Sequence, residues 1–361
     1  MLGQPTDWRW QARSAVRDLA GLEAALRLTD EERAGIERAL QGGFPIAITP
    51  YYLSLIDAED PSCPIRRQVV PHALEARTVE GDLRDPLGEE LEAHAAAPAL
   101  VRRYPDRVLL LATDRCAVYC RFCTRSRMVG DGGGARSIDA LQDAFEYIER
   151  DPSIHDVIVS GGDPLVMATS KVAAILQRLA RIEHVMSVRI GTRAPVTIPQ
   201  RITDELCQAL RASHPSVWIM THFNHPKELT PASSEALARL VDHGLVVMNQ
   251  SVLLRGINDD ASTLEALFRG LVARRVRPYY LLQADPVVGT GHLRTPLARG
   301  VEIMSQLQGR LTGIAVPKLV VDTPEGRGKV PIGPDAIVRR EPGRTILRTF
   351  RGEEVEYIDP P

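Results

Sequence analysis

Three cysteines, Cys116, Cys120 and Cys123, follow the apolar run 108–112 at spacings of four and three. Thiolates are soft ligands for iron and zinc. A structural zinc site needs four close ligands, and no histidine or fourth cysteine lies nearby in the sequence. Three cysteines on one loop can instead hold three irons of a cubane cluster, leaving the fourth iron open to a co-substrate. A second candidate is Lys329, the lysine of the glycine-bearing stretch Gly326-Arg-Gly328-Lys329. A lysine in a flexible turn is ordinarily solvated. A desolvated one, or one close to positive charge, becomes nucleophilic enough to form an imine.

The elements that must position these groups read as alternating strands and helices. Short β-branched runs predict strands at 108–112, 157–159, 187–191, 217–221, 245–248 and 278–282. Helical spacing predicts helices at 138–150, 169–181, 203–212, 232–243, 262–274 and 297–307. Six such units in a row imply an α/β fold, a partial (β/α)6 TIM-like barrel, because a full eight-unit barrel needs more chain. The barrel is expected over 101–310. It follows a mainly helical region, 1–100, in which Thr29 and Glu32 form a capping box opening a helix to about residue 40. Residues 311–361 are expected to be a strand and loop extension carrying Lys329, ending in a hairpin over 345–357 around Arg351-Gly352.

In barrels of this kind chemistry gathers where strands end, and here polar residues follow one strand after another. The cysteine loop follows the first and Ser160-Gly161-Gly162-Asp163 the second. Thr192-Arg193, His222-Phe-Asn224-His225, Asn249-Gln250-Ser251 and Asp285 follow the others. Each alone could be a turn, a cap or a satisfied core residue. Together they place six loops at one mouth.

A net charge of −2 on 361 residues gives no reason to expect nucleic acid or an anionic membrane as partner. The chain has no apolar run of transmembrane length, and its start lacks the basic and apolar blocks of a signal peptide, so a cytoplasmic protein is expected. Cys63 and Cys207 lie far apart in sequence, which argues against a disulfide framework.

The spacing C-x3-C-x2-C, with Phe122 before the last cysteine, resembles the cluster loop of the radical S-adenosylmethionine (SAM) superfamily. Longer strings extend the likeness over nearly the whole chain, to the lysine 2,3-aminomutase family. They include Ile48-Thr-Pro-Tyr-Tyr-Leu-Ser-Leu-Ile-Asp57, Arg103-Tyr-Pro-Asp-Arg107, Thr221-His-Phe-Asn-His-Pro226, Asn249-Gln-Ser-Val-Leu-Leu-Arg-Gly256 and His292-Leu-Arg-Thr-Pro296. The resemblance implies a 4Fe-4S cluster on Cys116, Cys120 and Cys123, together with SAM and pyridoxal 5'-phosphate. The implied reaction moves an amino group from carbon 2 to carbon 3 of an amino acid through a 5'-deoxyadenosyl radical. By the same resemblance Lys329 holds pyridoxal phosphate, Arg107 and Arg103 contact it, and Arg125 pairs with the substrate carboxylate. Ser160, Gly161, Gly162 and Asp163, with His222 and Gln250, surround SAM.

Asp285 and Asp322 match the pair that takes the distal ammonium of lysine. Two carboxylates at one mouth also favour a cationic side chain on physical grounds. L-lysine is therefore the expected substrate and β-lysine the product, with arginine the alternative basic amino acid. Modification of a lysine destined for a translation factor is a further alternative, and a metal-binding barrel without catalysis is the non-enzymatic one. No cysteine follows Cys207, so the zinc held by a longer tail in clostridial members is not expected here, and a homo-oligomer is left open. A reductant such as flavodoxin or ferredoxin would serve the cluster.

Overall fold

A computed structural model describes residues 7–130 and 132–360. Among these the main sheet has ten strands arranged in sequence order. Two short strands, β1 (Ala95–Ala97) and β2 (Leu100–Val101), run antiparallel at its first edge. Then come β3 (Arg107–Thr113), β4 (Asp156–Gly161), β5 (Ser187–Gly191), β6 (Val217–Thr221), β7 (Val246–Leu253), β8 (Arg277–Gln283) and β9 (Lys318–Thr323), all parallel. The last, β10 (Gly328–Ile332), turns back antiparallel on β9. The end strands pair only inward, so the barrel is incomplete. A separate sheet of β11 (Ile337–Glu341), β12 (Arg344–Arg348) and β13 (Glu354–Ile358) ends the chain.

All six expected strand and helix units are present, with β5 and β6 at the expected bounds. The structure adds β9 as a seventh parallel strand, so Asp322 and Lys329 stand on the barrel wall itself. The terminal hairpin is present as β12 and β13, but it is not an edge of the main sheet; it forms its own sheet with β11. Helices such as Thr169–Leu179 and Ala261–Ala273 pack their apolar stripes, including Val172, Ile175, Leu264 and Phe268, on the outside of the strands.

The region before the barrel reaches across its mouth. The Thr29 and Glu32 capping box opens the helix Asp30–Leu40, and Glu32 also pairs with the fully buried Arg66 at 2.6 Å. Further on, the Thr49 hydroxyl donates to Thr197 O, the Tyr52 hydroxyl donates to Glu228, and Arg67 donates to Gly256 O. Leu83 N donates to Pro286 O at 2.7 Å. Residues 45–89 therefore fasten the loops that leave β3, β5, β6, β7 and β8.

Close approach explains the glycine pair after β4. Gly161 has φ +111°, and a Cβ there would lie 2.2 Å from Thr113 O; one on Gly162 would lie 2.3 Å from Arg115 O. The bare backbone lets Gly162 N and Asp163 N donate to Thr113 O and Arg115 O at 2.6 and 2.8 Å, tying this turn to the start of the cysteine loop. Gly161→Ala should therefore lower the thermal unfolding midpoint by the equivalent of about 1–3 kcal/mol from backbone conformation alone. An unchanged midpoint in a thermal melt would refute this account.

Candidate active site

Residues of β3 to β10 and the loops at the C-terminal ends of the parallel strands line one cavity of about 790 Å³. It is lined by every residue given a site role from the sequence: Cys116, Cys120, Cys123, Arg125, Arg103, Arg107, Ser160, Gly161, Gly162, Asp163, His222, Gln250, Asp285, Asp322 and Lys329. Residues up to 226 positions apart in the chain share this space.

The cysteine loop is held from several sides. Tyr119 packs with Ala47 and Val129, while Phe122 packs with Leu254, Ile257, Ala284 and Leu293. Tyr119 N donates to Ala47 O, Arg121 N to Gln68 O, and the Arg121 guanidinium to Phe44 O, Pro45 O and Glu75. The three sulfurs are free and partly exposed to the cavity. Burial raises the thiols of Cys116 and Cys123, the latter to about 11. Among the described residues no three His, Cys, Asp or Glu side chains converge on a single metal ion. A cubane gives each cysteine its own iron, so three separate thiols on one pinned loop fit that group.

Asp163 is committed to structure. Its carboxylate accepts from Leu165 N, the Thr192 hydroxyl at 2.6 Å and Arg193 N at 2.7 Å, bracing the end of β4 against β5. The turn faces the cavity with its glycines. Four other strand-end residues are likewise structural. Asn249 and Ser251 bond the backbone of Phe223, Asn224 accepts from Val252 N, and His225 caps the short turn Pro226–Glu228. Because Asn224 Oδ1 accepts from Val252 N, it must also accept from His222 Nε2, which stands 3.0 Å away. Burial, with Arg193 nearby, lowers the His222 pKa to about 3. His222 is thus a neutral imidazole with Nδ1 as its open acceptor.

Besides the Arg189–Asp156 pair and Arg193, the charges at the cavity lie in two groups. In one, Arg125 donates through Nε and Nη2 to Glu89 at 2.7 to 3.0 Å, while Nη1 lies 3.4 Å from the Ser160 hydroxyl. Arg127 also pairs with Glu89 and Asp85, at 3.1 Å each. In the other, Asp322 faces Lys329 directly across the β9 and β10 register, and the two side chains pair. Asp322 Oδ1 is buried without a hydrogen-bond donor and lies 3.7 Å from Arg103. Asp285 is pushed up to about 7, chiefly by burial and next by Asp322. The Tyr104 hydroxyl accepts from Lys329 N at 2.9 Å, and its ring lies 3.7 Å under the Arg107 guanidinium.

Glu89, Tyr104 and Arg193 were not legible as site residues in the sequence. Glu89 stands in a loop with no periodicity, Tyr104 in a string that gave a role only to its arginines, and Arg193 as one polar residue after a strand. The available signal for Glu89 was Gly88, whose φ of +60° and close approach to Glu325 O bring that loop against the turn between β9 and β10.

A partial parallel barrel with three free cysteines at its mouth defines the radical SAM class, and residues 110–267 match the radical SAM superfamily. Residues 304–361 match a second family, described as lysine-2,3-aminomutase. The L-lysine 2,3-aminomutases of Fusobacterium nucleatum and Clostridium subterminale are each 45% identical over 98% of this chain, covering 82% and 84% of their own lengths. The glutamate 2,3-aminomutase of Clostridioides difficile is 41% identical over 99% of this chain and 85% of its own. A solved radical SAM methyltransferase from Sphaerobacter thermophilus, 22% identical with a TM-score of 0.44, overlaps 62% of this chain and 68% of its own, a likeness too loose to argue from. The chain belongs to the lysine 2,3-aminomutase family.

The Glu89 carboxyl is buried, which alone would raise its pKa, yet Arg125 and Arg127 hold it below the usual range. A depressed carboxyl contributes stability above its unfolded pKa and loses it as pH falls through the folded value. Glu89→Ala leaves two buried guanidinium groups without their shared partner, and should cost about 3–5 kcal/mol near neutral pH. Denaturant titration checks this, and the difference from wild type should shrink below about pH 4.

Proposed function

We propose that this chain is a 2,3-aminomutase that converts L-lysine to β-lysine, using a 4Fe-4S cluster on Cys116, Cys120 and Cys123 with SAM and pyridoxal phosphate. The observation that carries the substrate reading is the carboxylate pair in the cavity: Asp285 and the donorless Oδ1 of Asp322. A buried acceptor without a donor is costly, and an ammonium group supplies donors and countercharge together. Because the family contains a glutamate enzyme as well as lysine enzymes, family membership alone leaves the side chain open. A glutamate side chain would meet repulsion at these two aspartates.

The cofactors supply radical generation and stabilisation of the migrating amino group; the chain's own residues bind, orient and exclude water. Arg125 presents Nη1 to a carboxylate beside Ser160, with Glu89 fixing the opposite edge of the guanidinium. Asp285 and Asp322 hold the distal ammonium, so an extended zwitterion is tied at both ends and its middle carbons are held still. Lys329 lines the cavity with Arg103, Arg107 and Tyr104, a set of one amine and cationic groups suited to an aldehyde that carries a phosphate. The Gly161-Gly162 backbone, Gln250 and neutral His222 offer SAM a close surface and an acceptor. Among the described residues no helix is long and apolar enough to cross a membrane. A cytoplasmic setting and a low-potential flavodoxin or ferredoxin as electron donor suit an oxygen-sensitive cluster.

The deciding experiment is an anaerobic assay of cluster-reconstituted protein with dithionite, SAM and pyridoxal phosphate. Lysine, arginine, glutamate and alanine are offered together and the products read by mass spectrometry. β-Lysine alone is expected; a different β-amino acid would overturn the reading of Asp285 and Asp322, and the absence of any would overturn the activity. The ionised form of Asp285 is the one that binds an ammonium, so kcat/KM for lysine should rise as pH rises through about 7. Asp285→Asn should raise KM about 10- to 100-fold and abolish that dependence, the loss expected of one charged hydrogen bond.

A further inference from the structure

Arg193 is a nine-tenths buried cation that the proposed reaction leaves without a part to play. Its Nη1 donates to Cys120 Sγ at 2.7 Å. Its Nη2 donates to Gln68 Oε1 at 2.5 Å, Glu228 Oε1 at 2.7 Å and the Tyr52 hydroxyl at 3.0 Å, and Nε donates to His222 O at 3.2 Å. The guanidinium lies over the rings of Tyr52 and Phe122, 5.4 and 5.5 Å from their centroids. Among the described residues no side-chain hydrogen bond from another arginine or lysine reaches a cysteine of the loop.

We propose that Arg193 is a positioning residue for the cluster: it fixes the rotamer and charge of the Cys120 thiolate and thereby sets the potential at which the cluster accepts its electron. This rests on the reading of the cysteine loop as a cluster site. A charged donor on a ligating sulfur draws electron density from it and favours the reduced cluster, so it raises the reduction potential. Glu228 opposes this by neutralising part of the guanidinium's charge. It is itself fully buried and fixed by Asn224 N at 2.6 Å and His225 N at 3.0 Å. The pair gives the loop a cation whose effective strength is set by a carboxylate one step further from the sulfur.

The two substitutions therefore act with opposite sign. Arg193→Gln removes the cation and should lower the midpoint; Glu228→Gln frees the cation from its counter-charge and should raise it. The measurement is an anaerobic redox titration of reconstituted protein followed by electron paramagnetic resonance, with iron and sulfide content measured in parallel. At the potential that half-reduces the wild-type cluster, Arg193→Gln should have a ratio of reduced to oxidised cluster about tenfold lower, a 59 mV shift for one electron. Arg193→Lys, which keeps the charge but not the fork of donors, should recover part of it.

Wild-type protein that takes up no iron would refute the cluster reading itself. An Arg193→Gln variant with full iron and an unchanged midpoint would overturn the present inference while leaving that reading intact. Loss of iron from Arg193→Gln with unchanged circular dichroism, regained in Arg193→Lys, would support it. If Arg193→Gln does not fold, Glu228→Gln decides: a raised midpoint supports the proposal, and an unchanged or lowered one overturns it.

Discussion

Everything at the mouth of this barrel depends on a few buried polar groups being satisfied across strand ends. Parallel strands leave their C-terminal backbone groups and loop side chains without regular partners, and each one buried unpaired costs on the order of 1–3 kcal/mol. Here Asp163 closes the gap between β4 and β5, Asn249 and Ser251 hold the backbone of Phe223, and Glu228 gathers Tyr52, Arg193 and the backbone of Asn224. Several of the bonds come from residues 45–89, so the segment before the barrel is part of the wall. Without that bracing the cysteine loop would have neither a fixed direction nor a dry side.

Within this frame the cavity carries paired charges at two ends. Arg125 is paired with Glu89 at the end near the cysteines, while Asp285 and Asp322 stand with Lys329 and Arg103 at the other. Each end keeps one group turned to the cavity, Arg125 Nη1 beside Ser160 and the donorless Oδ1 of Asp322. The pairing explains why the acidic residues are perturbed so differently: Glu89 has two cations against it and is held ionised, whereas Asp285 has a second carboxylate nearby and is held partly protonated.

Much of this was legible from the residues alone. Six strands and their helices followed from β-branched runs and helical spacing, and the three cysteines announced themselves by spacing. What the sequence could not show was which polar residue at a strand end turns outward into the cavity. Asn224 and His222 are two apart and chemically similar in outward appearance, yet one is a brace and the other faces the cavity. That choice is set by Val252 N and Gln68, which come from distant parts of the chain. The strand before Lys329 was expected, but not as part of the barrel, because β9 is separated from β8 by the helix Leu297–Leu307 and the further stretch 308–317, and only pairing with Tyr280, Leu281 and Leu282 places it there.

The residues that hydrogen-bond the cysteine loop, from Phe44 to Arg193, precede Asp285 and Asp322, whereas Leu293, part of the apolar packing on Phe122, follows Asp285. Cys123 leaves the ribosome roughly 200 residues before Lys329. Since chains fold from the N-terminus during synthesis, the polar supports of the cysteine loop are made while Asp322 and Lys329 are still untranslated. The order of translation thus sets out the polar supports of the loop before β9 and β10 close that side of the barrel.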